Sequence, residues 1–431
     1  MNLKKSNSTL TLVYIFTFLL LMIVAQAGAK NQITLKGRIL DNKTKQPLPF
    51  ATISIPQSMT GVISNEFGEF QYHIPENFGN SVVLITYLGY KPIPLKVSEI
   101  QTGVLTTYKM ETQVMQLPEV EVNGVKSKTE AVNIVRKAIR NIRKNYPTEK
   151  TLLYGYYRDY ASPVGTHDYK NLIEAALVIE DKGFQTEDFS QTSFKLEQLR
   201  YNPEVEIDSS LNKAYDGKNK FIPYFSIAGA NELSILRAHD PIRNRDILTF
   251  SFVDQFKADF ARTHNFRFES ITEVDSDKVY CIHFDKYVKY EENQSEYNVD
   301  GQIYISSKSF AILKFNYLGT CKTPIYSGKF LDVKLEYRKY NDRYYLNYLS
   351  LKNYFLINNN PHSGTNISSL NVIPYFQYRE LFINKIVNKP YLSIKPHEQI
   401  DKSASLLSNK IPVIEGFWDQ YNFTGVTKLQ E

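Results

Sequence analysis

Two pairs of side chains in this sequence have the types and spacing that could support chemistry. His73 and Glu76 form a His-x-x-Glu pair, a spacing used in zinc sites because Zn²⁺ accepts imidazole and carboxylate ligands. Cys281 and His283 are two residues apart, so on a strand they point to one face, where they could act as nucleophile and base. A cleft that gathered His283 or His239 with carboxylates would favour catalysis.

Neither pair has the partners that such chemistry needs. A catalytic zinc requires a third protein ligand, and the nearest later histidine, His167, lies in a polar loop of another part of the chain, while Pro75 stiffens the backbone between His73 and Glu76. The sequence also lacks Gly-x-Ser-x-Gly, a phosphate-binding glycine loop and His-Glu-x-x-His. We therefore assign no catalytic, cofactor-binding or metal-binding residue and predict a protein that is not an enzyme.

Short apolar strands separated by turns occupy the chain from Ile33 to Val122. The near-alternation of apolar residues in ITLKGRIL and FATISI is typical of strands with one buried face. Asp41-Asn42-Lys43 and Asn65-Glu66-Phe67-Gly68 supply residues that favour turns. Several strands within about ninety residues predict a small all-β sandwich.

The segments GRILDNKTKQPLPFATISI, GVISNEFGEF, ITYLGYK and LPEVEV, in this order, resemble the carboxypeptidase regulatory-like domain, a transthyretin-like or prealbumin-like sandwich. That domain typically heads envelope proteins of Bacteroidetes and has no catalytic residues. The resemblance implies a docking or spacing module at residues 30–122 and a cell-envelope setting. The turn at Asn65-Glu66-Phe67-Gly68 departs from the Asp-rich turn that is commoner in the family.

Residues 1–29 have the three parts of a secretory signal peptide. These are Lys4 and Lys5, an apolar core from Leu10 to Val24, and small residues up to Ala29. We predict export to the periplasm or the outer membrane, with cleavage that lowers the formal charge from +6 to +4 by removing the two lysines and no acid. A net charge this small does not favour the binding of nucleic acid. No later segment is predicted to span a membrane.

Residues 123–149 predict a linker and an amphipathic helix that ends at Pro147. Its apolar residues recur at intervals of three and four, from Ala131 to Ile142, while arginines and lysines occupy the rest of the circumference. That basic side could contact anionic lipid or lipopolysaccharide. The simpler interpretation is a solvated face, which we favour because the apolar stripe is complete and the sequence shows no further basic cluster nearby.

Residues 150–431 predict an aromatic-rich antiparallel β domain. Tyrosine and phenylalanine alternate in several segments, and Asn341-Asp342 separates two strands of a hairpin, Lys329 to Tyr340 and Arg343 to Phe355. The run of strands, which we extend to FWDQYN, favours one large curved sheet with helices on one side, for which a half-barrel is a compatible shape. This region resembles uncharacterised C-terminal regions behind the regulatory-like domain in Bacteroidetes envelope proteins.

Cys281 and Cys321 are the two cysteines of the chain, and the sequence leaves open whether they pair. The function that we favour is a non-enzymatic envelope protein whose β domain binds a protein, lipid or glycan partner. The main alternative is an envelope hydrolase whose site is assembled within the C-terminal domain, and a third is a purely structural assembly component. A large apolar cavity would indicate carriage, and a cleft with converging titratable groups would indicate catalysis.

Overall fold

The computed structural model describes residues 33–56, 58, 60–115, 124–201, 231–247, 255–274, 276–324, 326–358, 372–389 and 392–422. They form a mainly β protein, as the sequence predicted. The signal-like segment 1–29 and the LPEVEV segment, residues 117–122, lie outside the described residues. Within these ranges, no helix is both long enough and apolar enough to cross a bilayer.

The strands of the described residues are numbered in chain order. They are β1 (Ile33–Asp41), β2 (Thr52–Ile55), β3 (Thr60–Ile63), β4 (Glu69–Ile74), β5 (Val82–Thr86), β6 (Ile93–Lys96), β7 (Leu105–Met110), β8 (Val114–Met115), β9 (Thr151–Pro163), β10 (Lys170–Asp181), β11 (Thr192–Tyr201), β12 (Asn265–Val274), β13 (Asp277–Tyr290), β14 (Ser295–Ser306), β15 (Ile312–Lys322), β16 (Ser327–Tyr340), β17 (Arg343–Asn358) and β18 (Val372–Asn388). The α-helices of the same residues are α1 (Gly124–Arg140), α2 (Ile142–Asn145), α3 (Glu232–Ala238), α4 (Phe260–Thr263) and α5 (Phe417–Gln420).

The first seven strands form a β-sandwich. One sheet has the order β4-β1-β7, in which β1 is antiparallel to β4 and parallel to β7. The other has the order β6-β5-β2-β3. Between them lies a hydrophobic core that includes Ile39, Ile53, Phe70 and Ile85. The predicted N-terminal sandwich is confirmed.

In the described part of the chain, eleven strands form one curled antiparallel sheet, the large sheet, in the order β11-β10-β9-β18-β17-β16-β15-β14-β13-β12-β8. This arrangement confirms the predicted half-barrel. The hairpin of β16 and β17 is also confirmed, because Tyr340 pairs with Arg343 across Asn341 and Asp342. Asn341 has a φ of 51°, in the left-handed region that asparagine tolerates better than most residues.

Two short strand contacts join the sandwich to the large sheet. A bridge between Thr60 and Lys385 connects β3 to β18. After the sandwich, the chain adds β8 to the outer side of β12, where Met115 pairs with Ile271. Because β8 pairs with part of an edge strand, it also reduces the open edge of the large sheet.

Strands β17 and β18 carry a different hydrophobic core on each face. Leu349 and Leu381 belong to the core between the large sheet and the helices, and we call this side of the sheet the helix face. Their neighbours Tyr348 and Phe382 belong to the core of the sandwich, and we call this side of the sheet the sandwich face. Since side chains alternate along a strand, the sandwich and the helices pack on opposite sides of the same two strands.

The predicted amphipathic helix is present as α1, followed by the single turn α2. Ala131, Val135, Ala138, Ile139 and Ile142 are buried in the core of the helix face. The basic residues whose side chains the structure describes are exposed: Lys128, Arg136, Lys137, Arg140, Arg143 and Lys144. The assignment of the two sides of this helix is therefore confirmed.

The prediction that the strands continue to FWDQYN is wrong, because residues 417–420 form the helical turn α5. Gly416 precedes it with a φ of 71°, a left-handed conformation that reverses the chain. The aromatic rings then stack on one another, with the Phe417 and Tyr421 centroids 5.1 Å apart. Trp418 packs edge-on against Tyr156 of β9, with ring centroids 6.4 Å apart, so residues 417–420 contribute aromatic packing and do not form a strand.

Replacing Ile139 by Asp should lower the free energy of unfolding by several kcal/mol, because it places an unpaired charge in the core. The control Arg140→Ala changes an exposed side chain of the next residue and should shift it by less than about 0.5 kcal/mol. Thermal or urea unfolding of the two variants measures the difference. Equal, small effects would contradict the assigned faces.

Candidate functional site

His73 lies at the end of β4, and both of its ring nitrogens have neighbours within the sandwich. Nδ1 is 3.0 Å from the Thr34 hydroxyl, and Nε2 is 2.9 Å from the Gln71 side-chain amide. Burial lowers the pKa of His73, which favours the neutral ring. Glu76 is exposed in the following 3-10 turn. Among the described residues, no group of three or more His, Cys, Asp and Glu side chains is placed to hold a metal ion.

Cys281 and His283 are both buried on β13, but each is bonded to a different carboxylate. The Cys281 thiol donates to Glu269 Oε2 at 3.3 Å. His283 Nε2 is 2.8 Å from Asp300 Oδ2. Burial raises the pKa of Cys281 to about 12, so the thiol is protonated at neutral pH. The two residues therefore lack the thiolate–imidazole contact of a cysteine nucleophile.

The two cysteines are free and lie on opposite faces of the large sheet. Cys281 pairs with Tyr304 and Cys321 with Tyr297, both on β14. Tyr297 and Tyr304 are an odd number of residues apart, so they point to opposite sides, and about 23 Å of strand separates them. This geometry answers the question of pairing that the sequence left open.

His239 follows α3 and is completely buried on the helix face. Its Nδ1 is 2.7 Å from the Ile235 carbonyl oxygen, a distance at which Nδ1–H donates. Burial lowers the pKa of His239 to about 4. The ring is therefore neutral at physiological pH and closes the C-terminal end of α3.

A buried network of charges surrounds α3. Arg243 donates to both carboxylate oxygens of Asp181, at 2.9 and 3.0 Å. Tyr337 donates to Asp240 at 2.7 Å, while Arg237 reaches Asp181 and Asp240 at the longer distances of 3.5 and 3.4 Å. The charges of these two arginines and two aspartates balance. Sequence reasoning missed the network, because its members come from β10, β16 and the region of α3.

A small pocket lies beside this network. It is lined by Asp181, Arg237 and Tyr337 together with apolar side chains that include Leu153 and Phe184. Its volume is about 20 Å³, which is space for about one water molecule. This pocket is too small for a sugar ring or an acyl chain.

Aromatic rings of the large sheet pack on one another and over glycines. Phe284 and Phe315 stack with centroids 5.3 Å apart. The Phe284 ring also covers Gly301 on the next strand, where a Cβ would overlap it, and Phe330 covers Gly319 in the same way. The alternation of aromatic residues along these strands therefore reflects the packing of their rings in the core.

A second buried charge network lies on the sandwich face. Arg158 of β9 and Glu380 of β18 form an ion pair of 2.5 Å, and both side chains are about 95% buried. The Glu380 carboxylate also accepts hydrogen bonds from Tyr378 at 2.8 Å and Tyr348 at 3.0 Å. Arginine and tyrosine thus compensate a carboxylate beneath the sandwich.

Direct contacts between the sandwich and the large sheet surround this network. The rings of Phe50 and Tyr348 stack with centroids 4.9 Å apart. Asn347 donates to the Thr52 hydroxyl at 3.1 Å, and Tyr169 donates to Glu66 at 2.5 Å. Polar and aromatic contacts therefore fix the sandwich in one orientation on β17 and β18.

Asn422 ties the last described residues of the chain to both modules. Its side-chain oxygen accepts from the backbone N–H of His73 at 2.8 Å, and its side-chain amide donates to the His73 carbonyl at 3.2 Å. The Asn422 carbonyl accepts from Asn384 of β18 at 2.9 Å. The Asn422 side chain thus forms hydrogen bonds with a backbone N–H and a backbone carbonyl of the edge strand β4, as the backbone of a further strand would.

The fold defines a mainly β protein in which a small sandwich is packed on a large curled sheet. Residues 35–122, which include most of the sandwich, match the family described as CarboxypepD_reg-like domain. This match confirms the resemblance that the sequence motifs indicated.

Two solved structures show a distant likeness. A DUF1329 family protein from Desulfovibrio piger is 8% identical, with a TM-score of 0.23, and the match covers 62% of this chain and 95% of that one. A putative membrane-associated protein of unknown function from Bacteroides fragilis is 10% identical, with a TM-score of 0.15 and coverages of 82% and 96%. No curated protein matches the chain.

Replacing Glu380 by Gln should destabilise the protein by about 3–5 kcal/mol, because the substitution breaks a buried ion pair. The control Glu111→Gln breaks the exposed pair with Lys91 and should cost less than about 1 kcal/mol. Urea unfolding measures both. The double variant Glu380→Gln/Arg158→Met should recover part of the loss, and a double variant less stable than the single one would contradict this account.

Stability should fall as the pH falls from about 6.5 towards 4 through protonation of His239. Its folded pKa of about 4 lies below the ordinary value of 6.5, so the unfolded chain binds the proton more tightly. The effect is at most about 3 kcal/mol. His239→Asn retains a donor for the Ile235 carbonyl and should show a flatter pH dependence in this window. Parallel curves for the two proteins would refute the assignment.

Proposed function

We propose that this protein is a non-enzymatic component of the cell envelope. The sandwich is a docking or spacing module, and the large β domain binds a protein, lipid or glycan partner. The regulatory-like domain at residues 35–122 and the signal-like sequence of residues 1–29 support the envelope setting.

The observation that carries the proposal is the bonding of the buried titratable groups. Asp181 and Glu380 are bonded to arginines, and His283 to a carboxylate. The pocket beside Asp181 has room for about one water molecule. In the described part of the chain, these contacts join one element to another, and this bonding supports a role in packing.

Cross-linking in intact cells, followed by cell fractionation and purification of the chain, tests the proposal. We expect to recover the chain in the envelope fraction, cross-linked to a specific protein, lipid or glycan. An excess of chain that is not recovered in the purification should compete for this partner and reduce the cross-linked product. Recovery of the chain in the cytoplasmic fraction, or turnover of peptide, ester or glycan substrates by the purified protein, would overturn it.

One form of the hydrolase alternative, with Cys281 as nucleophile and His283 as base, predicts a reactive thiol at Cys281. With a pKa of about 12, roughly one thiol in 10⁵ is ionised at pH 7, so alkylation by iodoacetamide should be far slower than in the unfolded chain. Cys321→Ser isolates the reaction of Cys281, and Cys281→Ser isolates that of Cys321, which is also buried with a pKa raised to about 11. Rapid alkylation of native Cys281 at pH 7 would favour the enzyme instead.

A further inference from the structure

The exposed side of α1 and α2 carries a concentrated positive charge. We call it the cationic face, and it consists of Arg136, Lys137, Arg140, Arg143 and Lys144. At 3.6 residues per turn these side chains fall within about a third of the helix circumference, along about 12 Å of its axis. The buried stripe from Ala131 to Ile142 holds the helices on the large sheet, so the cationic face is fixed towards solvent.

The described residues supply little negative charge to neutralise this face. Arg136, Arg140 and Lys144 form no ion pair with any of them. Arg143 reaches Glu187 at 3.4 Å, but that carboxylate also contacts Lys257 at 2.5 Å and Arg245 at 3.5 Å. One carboxylate shared among three cations leaves the surroundings of Arg143 positive.

Other parts of the fold add positive charge beside the cationic face. Arg343, at the start of β17, donates to the carbonyl of Lys144. The turn before β15 also meets the helices: Lys137 lies 3.7 Å above the Phe310 ring, and Asn145 donates to Ser309 at 3.0 Å. Lys308 of that turn is exposed. The fold thus supplies the reinforcement that the sequence did not show, and this reverses our preference for a merely solvated face.

The chemistry of this surface matches phosphate. Three of its five members are arginines, whose guanidinium groups bind phosphate oxygens in pairs. Protein interfaces have a buried apolar or aromatic centre and are depleted in lysine, whereas the cationic face is a convex ridge of charged ends. A layer of lipid phosphates requires no apolar anchor, and each nearby lysine or arginine strengthens its attraction.

We propose that the cationic face docks on the surface of a membrane rich in anionic phospholipid. This inference deepens the proposed function by naming lipid as one partner, and it rests on the envelope setting given there. The helices lie along the surface and do not enter the hydrocarbon. The attraction is electrostatic, so it weakens as the salt concentration rises.

Sedimentation of the mature chain, starting at Lys30, with lipid vesicles tests the proposal. Vesicles of equal parts phosphatidylglycerol and phosphatidylcholine should bind the chain in 50 mM NaCl and release it in 500 mM NaCl, whereas phosphatidylcholine alone should not bind it. The variant Arg136→Glu/Arg140→Glu/Lys144→Glu should bind at least about 100-fold more weakly.

A matched control changes the net charge equally at exposed lysines elsewhere. Lys43→Glu/Lys109→Glu/Lys410→Glu should retain binding within about threefold, which separates the local surface from net charge. Circular dichroism and thermal unfolding confirm that both triple variants are folded. Equal losses in the two variants, or binding of polyglutamate as tight as binding of the anionic vesicles, would overturn the lipid assignment.

The same vesicle assay separates this inference from the proposed function. A folded chain that fails to bind vesicles but yields a specific cross-linked protein partner in the envelope refutes the lipid surface alone. A cytoplasmic chain or an enzymatic activity refutes the proposed function, whatever the vesicles show.

Discussion

The alternation of side chains along β17 and β18 is the constraint on which the rest of this structure depends. Each strand contributes side chains to two cores, one shared with the helices and one shared with the sandwich. Tyr348 therefore lies beneath Phe50 of the sandwich while the adjacent Leu349 packs in the helix-face core. A shift of one residue in the register of either strand would exchange the two sets and place both on the wrong side.

The buried charges follow from this arrangement. A sheet covered on both faces removes water from its polar side chains, so each carboxylate needs a partner from another element. Glu380 finds Arg158 and two tyrosines under the sandwich, and Asp181 finds Arg243 near α3. Such pairs add little net stability compared with apolar residues, but breaking one is costly, so they favour one way of docking over others. Their role is to position one module on the other.

Periodicity in the sequence was enough to predict the sandwich strands, the hairpin at Asn341 and the two sides of α1. It reports which face of an element is apolar, and that information is local. The charge networks could not be predicted, because Arg243 and Asp181 are 62 residues apart and Arg158 and Glu380 are 222 apart. The error at FWDQYN has a related cause, since a short aromatic run fits a strand and a packed turn equally well. The contribution of Arg343 to the charge beside the cationic face could not be predicted either, because Arg343 lies far along the chain from α1 and α2.

The sandwich and the large sheet form one unit, held by the two-sided packing of β17 and β18. Differential scanning calorimetry of the chain from Lys30 onwards measures this unity through the ratio of the calorimetric to the van't Hoff enthalpy. We expect one transition with a ratio near one, which Glu380→Gln moves to lower temperature without splitting. Two resolved transitions in the unsubstituted protein, with the sandwich unfolding separately, would contradict it.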